Sequence, residues 1–209
     1  MRTDGPLARI NRTIHGDTVV VGRLMLTCEQ MLRDRGCTRV TRADDVHLAV
    51  ENGTALLRGR GPGVAVDVFV IGSEDRVGVK HARAVLDACA DDGATAVVVS
   101  AEGPTAFTRK ECEGRAMQFF CARVLCYNVS QHSLVPRHER VEKPPEGVSV
   151  EALPKLPDTD PVAQYYHWPV GTVVRVWRCF SGHEPVPYYR VVCTSGGVST
   201  DEEACADEE

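Results

Sequence analysis

The stretch "DTDPVAQYYHWPVGTVVRVWR", residues 158–178, sets a helix start, a stop and a strand in close succession. Asp160 offers a carboxylate to the orphan N–H groups of a helix start, and Pro161 suits the first helical position, where no N–H is needed. The helix has to be short, because Pro169 biases Trp168 out of the α region. Val170 and Gly171 then turn the chain into residues 172–178, whose β-branched run reads as a strand. No group here is arranged for bond-making chemistry. The stretch reads as a rigid scaffold for docking.

Working outward, residues 188–193 form a second strand, expected to pair with 172–178 as a hairpin around the polar loop 179–187. Upstream, "KPPEGVSVEALPKLPDTDP" (143–161) holds five of the chain's twelve prolines, so it is expected to be extended or turn-rich. A small α+β domain follows from these pieces. The first 130 residues have a different character. Residues 22–35 place Leu24, Cys28, Met31 and Leu32 at helical spacing, with Gly36 as the stop. Thr41 followed by Asp44 resembles a capping box for a second helix ending near Glu51. Residues 54–60 and 64–71 read as strands joined by a turn at Gly61, Pro62 and Gly63. A helix is expected from His81 to about Asp92, with Ala82, Val85, Leu86 and Cys89 on one face. "TAVVVS" (95–100) reads as a strand buried on both faces, 109–123 as a helix and 124–129 as a further strand. The expected fold is α/β with a central mixed sheet, followed by the small α+β domain.

The 209 residues suit one large or two small domains. No apolar run approaches the roughly 20 residues of a membrane span, and residues 1–20 hold no signal-peptide core, so neither a membrane partner nor secretion is expected. Residues 1–199 carry 24 basic and 23 acidic side chains, whereas 200–209 carry six acids and no base. The tail therefore reads as a disordered acidic end, and the near-neutral body excludes tight nucleic-acid binding by charge alone. The nine cysteines include no C-x-x-C pair and are expected to be reduced thiols acting as small apolar groups.

Candidate chemistry fails on its partners. "RGRGPGV" (58–64) has three glycines but no Walker lysine, and a hairpin turn explains them. His132 and His138 flank Pro136, which breaks any helix that would align them on a metal. Asp67 on a strand and Lys80 beyond it suggest a metal-dependent nuclease, yet Gly78 stands where the second acid would be needed. Neither a metal nor a cofactor is expected.

Three ordered elements carry a resemblance. "NVSQHSLVPRHERV" (128–141), "LPKLPDTDPVAQYY" (153–166) and "VVRVWR" (173–178) with "YYRVV" (188–192) together resemble the fifth subunit of eukaryotic nuclear RNA polymerases and its archaeal counterpart. His132, Leu134, Val135, Pro136 and His138 match the first element, Asp160, Pro161, Val162, Ala163 and Tyr165 the second, and Val173, Val174 and Arg178 the third. A weaker likeness runs through "LRDRG" (32–36), "VGVK" (77–80) and "AVVVSAEG" (96–103). The segment 139–157 is shorter and richer in proline than in the family, and Arg178 is followed by Cys179 and Phe180 rather than Pro-Ser.

The resemblance implies an N-terminal jaw domain over 17–127, with a restriction-endonuclease-like mixed sheet and no catalysis, after an extension over 1–16. It implies an assembly domain over 128–199 and leaves 200–209 as the tail. The expected function is that of a non-catalytic subunit of a multisubunit DNA-directed RNA polymerase. The free-standing nuclease is the alternative. The expected partners are the largest polymerase subunit, other core subunits and, weakly and without sequence preference, downstream duplex DNA. The expected core interface is His132, Leu134, Val135, Pro136, His138, Asp160, Pro161, Tyr165, Arg178 and Arg190. The expected DNA-facing loop is Gly103, Pro104, Thr105, Thr108, Arg109 and Lys110, its hydroxyls and backbone N–H groups meeting phosphates and its two basic residues opening a helix. A cellular copy would work in the nucleus. The divergence suits a large DNA virus, for which the virion or the host nucleus or cytoplasm is expected.

Overall fold

The computed structural model describes residues 21–44, 49, 54–71, 76–179 and 184–195. It divides into two compact units, Met1–Asn128 and Val129–Glu209. The expected extension over 1–16 and the acidic tail lie outside the described residues, as does most of the helix expected to end near Glu51. Among the described residues no helix is long and apolar enough to cross a membrane, and none of the described cysteines is in a disulfide.

In the first unit, helix α1 (Val21–Asp34) buries Leu24, Cys28, Met31 and Leu32, the positions its period predicts. Burial pushes the Cys28 thiol up to about 12, so it behaves as a small apolar side chain. Gly36 ends the helix at φ 96, a conformation that favours glycine. Strands β1 (Arg39–Arg42), β2 (Leu57–Gly61) and β3 (Val64–Ile71) pair antiparallel. Strands β3, β4 (Thr95–Ser100) and β5 (Met117–Cys121) pair parallel, giving one mixed sheet in the order β1-β2-β3-β4-β5. Between β3 and β4, helix α2 (Val79–Cys89) buries Ala82, Val85 and Cys89, with Val85 and Cys89 packed with Phe69, Ala96 and Val98 of the sheet. Leu86 is only partly covered.

The glycines of β2 have a packing reason. A Cβ on Gly61 would stand 2.2 Å from the Gly36 carbonyl oxygen, and one on Gly59 would stand 2.7 Å from Cys37 Sγ. The turn that ends α1 therefore lies directly against the strand, which only a residue without a side chain allows. The expected hairpin follows, with Gly61 opposite Val64 and Gly63 at φ 71.

Three expectations fail here. Thr41 is no helix cap: it lies in β1, opposite Arg58, because sheet pairing outcompetes a capping signal. Residues 109–123 are not one helix. Helix α3 (Ala106–Glu111) starts earlier, capped by Thr105, and stops before Gly114 at φ 73, after which β5 takes over. Residues 124–129 are not a strand, because α4 (Ala122–Leu125) turns the chain there.

The second unit is a four-stranded sheet in the order β6-β8-β9-β7, from β6 (Arg137–Val141), β7 (Lys155–Pro157), β8 (Val173–Arg178) and β9 (Val186–Cys193). The hairpin β8–β9 forms as expected, and β7 joins β9 in parallel. The proline-rich segment contributes a 3-10 turn (Val150–Ala152) and β7 rather than a helix. Helix α5 (Pro161–Tyr166) is the short helix expected of residues 158–178. It stops at His167 in the left-handed region, φ 55, whose N–H returns to the helix carbonyls. Alternation along the strands splits the core: Leu156, Ala163, Val174, Val176 and Val192 pack on one face, and Leu153, Val173 and Val191 on the other.

Candidate functional site

On the second unit, three segments distant in sequence converge on one groove. The first is the loop leading into β6. Its shape is held from within: the Leu134 N–H donates to His132 Nδ1 at 3.2 Å, and the Val135 N–H to the His132 carbonyl at 2.9 Å. His138 Nδ1 lies 2.6 Å from the Pro136 carbonyl oxygen, which only accepts, so that nitrogen carries the proton. This frame holds Leu134 out at 85% exposure. Val135 and Pro136 follow it along the same loop.

The second segment is the start of α5. Asp160 Oδ1 accepts from the N–H groups of Val162 at 2.8 Å and Ala163 at 3.3 Å, with Pro161 at the first helical position. Its carboxylate is thus engaged by backbone. The third segment is the face of β8 and β9 that carries Val174, Val176, Arg178, Tyr188 and Arg190, as their register dictates. The Arg178 guanidinium lies 4.8 Å from the Tyr188 ring centroid, and Arg190 donates to the Lys155 carbonyl at 3.2 Å. Neither arginine meets a carboxylate among the described residues.

The groove these segments enclose measures about 290 Å³. Of the expected interface residues, Leu134, Val135 and Pro136 come from the loop, His138 from the start of β6, Asp160 and Pro161 from the helix start, and Arg178 and Arg190 from β8 and β9. His132 does not line it and instead holds the loop. Tyr165, at 1% exposure, is a core residue beneath the helix and offers no contact surface. Sequence reasoning missed the floor: Val129, Leu156, Val162 and Val176. For Leu156 and Val176 the signal was the alternation of β7 and β8, which assigns faces only once the pairing is known, whereas Val129 in a 3-10 turn and Val162 in α5 carried no such pattern. On the opposite face of the sheet, Arg175 bonds Glu139 across β6 and β8 and holds its carboxyl below the ordinary range. That arginine is already neutralised.

In the first unit, the loop expected to face DNA is tied to the protein itself. The Gly103 N–H donates to Ser100 Oγ at 3.0 Å, and the Thr105 N–H to the Val77 carbonyl at 3.1 Å. Thr105 Oγ1 accepts from the Thr108 N–H at 3.1 Å and lies 2.8 Å from Thr108 Oγ1. Thr108 is fully buried and Pro104 is buried. These N–H groups and the Thr108 hydroxyl are thus bonded within the protein: that of Gly103 closes the turn onto Ser100, that of Thr105 joins the bridge between Val77 and Pro104, and that of Thr108 is held by the helix cap. Arg109 and Lys110 lie in the last turn of α3, not at its start, and they are exposed, as is Phe107 on the same helix.

Asp67 is 2% exposed, and its carboxylate pairs with Arg60 at 2.5 and 3.3 Å. Arg60 reaches Asp92 at 2.8 Å, and the two carboxylates raise its already high pKa. Lys80 stands exposed in the first turn of α2, after Gly78 at the cap. Among the described residues no group of three His, Cys, Asp or Glu side chains is placed to hold a metal ion.

Residues 127–192 match the family model described as RNA polymerase Rpb5, C-terminal domain. The second unit belongs to that family, and the match indicates an RNA polymerase subunit. It spans every segment of the groove and leaves residues 1–126 outside. The chain matches no curated protein.

Proposed function

We propose that the protein is a non-catalytic subunit of a multisubunit DNA-directed RNA polymerase, anchored to the largest subunit through the groove of its Rpb5-type C-terminal unit. The observation that carries this reading is the convergence, inside the family match, of eight expected interface residues on one groove beneath an 85% exposed leucine. In this reading the first unit is a jaw with a restriction-endonuclease-like sheet, and exposed Arg109 and Lys110 of α3 lie beside downstream DNA. Residues 1–127 hold 17 basic and 16 acidic side chains, so that contact is local and weak. Nuclease chemistry is disfavoured by the pairing of Asp67 with Arg60. The protein works where its polymerase transcribes, in a nucleus or a viral factory.

The test is purification of the tagged full chain from its source, with partners identified by mass. The largest polymerase subunits should accompany it in equal amount. Recovery without any polymerase subunit would sink the reading.

A further inference from the structure

The groove of the second unit combines two features that call for one kind of occupant. It is apolar where Leu134, Val135 and Pro136 line it, and cationic where Arg178 and Arg190 line it. Its single carboxylate, Asp160, is already engaged by two N–H groups. Arg178 is exposed and rests on Tyr188, a planar support that leaves the edge of its guanidinium available for a bidentate acceptor. Beyond Leu134 the surface opens into a wider trough of about 880 Å³ running past Trp177 to Glu184 and Pro185. A side chain alone would not fill that length, whereas an extended backbone would.

We propose that the groove takes an extended polypeptide segment of a polymerase core subunit, in which an Asp or Glu bonds Arg178 and Arg190 and an adjacent apolar residue packs on Leu134. The proposal rests on the polymerase-subunit reading and adds to it the chemistry of the partner segment. A carboxylate satisfies two arginines that have no acidic partner among the described residues, while the apolar neighbour removes Leu134 from water. A nucleic-acid phosphate would satisfy the arginines equally, but it would leave Leu134, Val135 and Pro136 against a charged, hydrated chain. The unit is also balanced, with seven basic and seven acidic side chains over residues 128–199, whereas nucleic-acid surfaces are strongly basic. A peptide is the better complement.

The experiment uses the full chain, tagged and expressed in its source, with a photo-crosslinking amino acid at Leu134 or, as a control, at exposed Glu113 of the first unit. After irradiation of the purified complex, the attached segment is sequenced by mass spectrometry. The Leu134 adduct should map to a core-subunit segment with an Asp or Glu within about three residues of an apolar side chain. Separately, Arg178→Glu with Arg190→Glu should lower the polymerase retained on the chain by roughly tenfold or more. Arg178→Lys with Arg190→Lys keeps the charge but loses the planar fork, so it should retain more polymerase than the charge-reversed pair and less than wild type, and near-native thermal unfolding of both variants would exclude misfolding as the cause. A Leu134 adduct on nucleic acid, or on a segment without an acid, overturns the proposal while polymerase recovery keeps the subunit reading. So does unchanged retention in the charge-reversed pair. Absence of polymerase subunits from the wild-type preparation overturns both.

Discussion

Removing the cap of α5 tests how far the second unit depends on one carboxylate. Asp160→Ala takes away the acceptor of two backbone N–H groups, those of Val162 and Ala163, at 2.8 and 3.3 Å. Loss of an N-cap costs about 0.5–2 kcal/mol. Two circumstances push this site to the upper end. The helix has six residues, far below the length at which a helix persists alone, so the cap is a large share of what holds it. Its first turn also buries Val162 and Ala163, where water cannot replace the lost acceptor. At about 2 kcal/mol and about 4–8 °C per kcal/mol for a domain of this size, the unfolding midpoint should fall by about 8–16 °C. Both tryptophans, Trp168 and Trp177, lie in the second unit, so their fluorescence follows that unit in the full chain without interference from the first. Asp160→Asn keeps an acceptor and should stay within about 4 °C of the native midpoint. An Ala variant that melts within about 2 °C of native would refute the capping argument. So would an Asn variant that falls as far as Ala.

Arg60→Met leaves the buried Asp67 carboxylate without its partner and should cost about 3 kcal/mol in chemical denaturation, the low end of the range because Arg60 is one-third exposed. The wild-type chain should leave duplex DNA intact with magnesium or manganese present, and cleavage abolished by Asp67→Ala would restore the nuclease alternative. Gly61→Ala should destabilise the first unit by about 1–3 kcal/mol through the clash with Gly36, whereas Gly78→Ala, with open space around it, loses only the N-cap preference for glycine over alanine and should cost less, about 0.5 kcal/mol, by circular-dichroism melts. In the assembled polymerase, Arg109→Ala with Lys110→Ala should weaken DNA association at every sequence alike and flatten its salt dependence by up to about two charges. An unchanged slope would remove these two residues from the DNA path.

The parts of the fold that were legible in the sequence are those with a strong local period or a strong local punctuation. Helix α1 shows its apolar stripe, β4 its continuous apolar run, and α5 its Asp-Pro start. Strand β1 was hidden because "RVTR" is exposed at three of its four positions and carries no alternation. It is a strand because β2 offers it a ladder, which is a tertiary fact. Strand β5 was hidden behind the charged run 109–115, where helix-forming side chains continue past the point at which Gly114 breaks the chain. The groove was half legible. Its motifs could be read in order, but that Arg178 and Arg190 share a face with Val176 depends on the β8–β9 register, and that Tyr165 points inward depends on the packing of α5.

The bridge between Val77 and Pro104 joins the residue just before the Gly78 cap of α2 to the residue just before the Thr105 cap of α3. Arg83 and Glu111, 2.9 Å apart, join the same two helices farther along. The two helices are thus tied at two points, by backbone at their starts and by an exposed ion pair farther along. Helix α2 in turn packs Val85 and Cys89 against Phe69, Ala96 and Val98 of β3 and β4, so the backbone beneath Arg109 and Lys110 is connected to the sheet. The backbone entropy of these two residues is spent during folding, so any contact they make has only side-chain freedom left to lose.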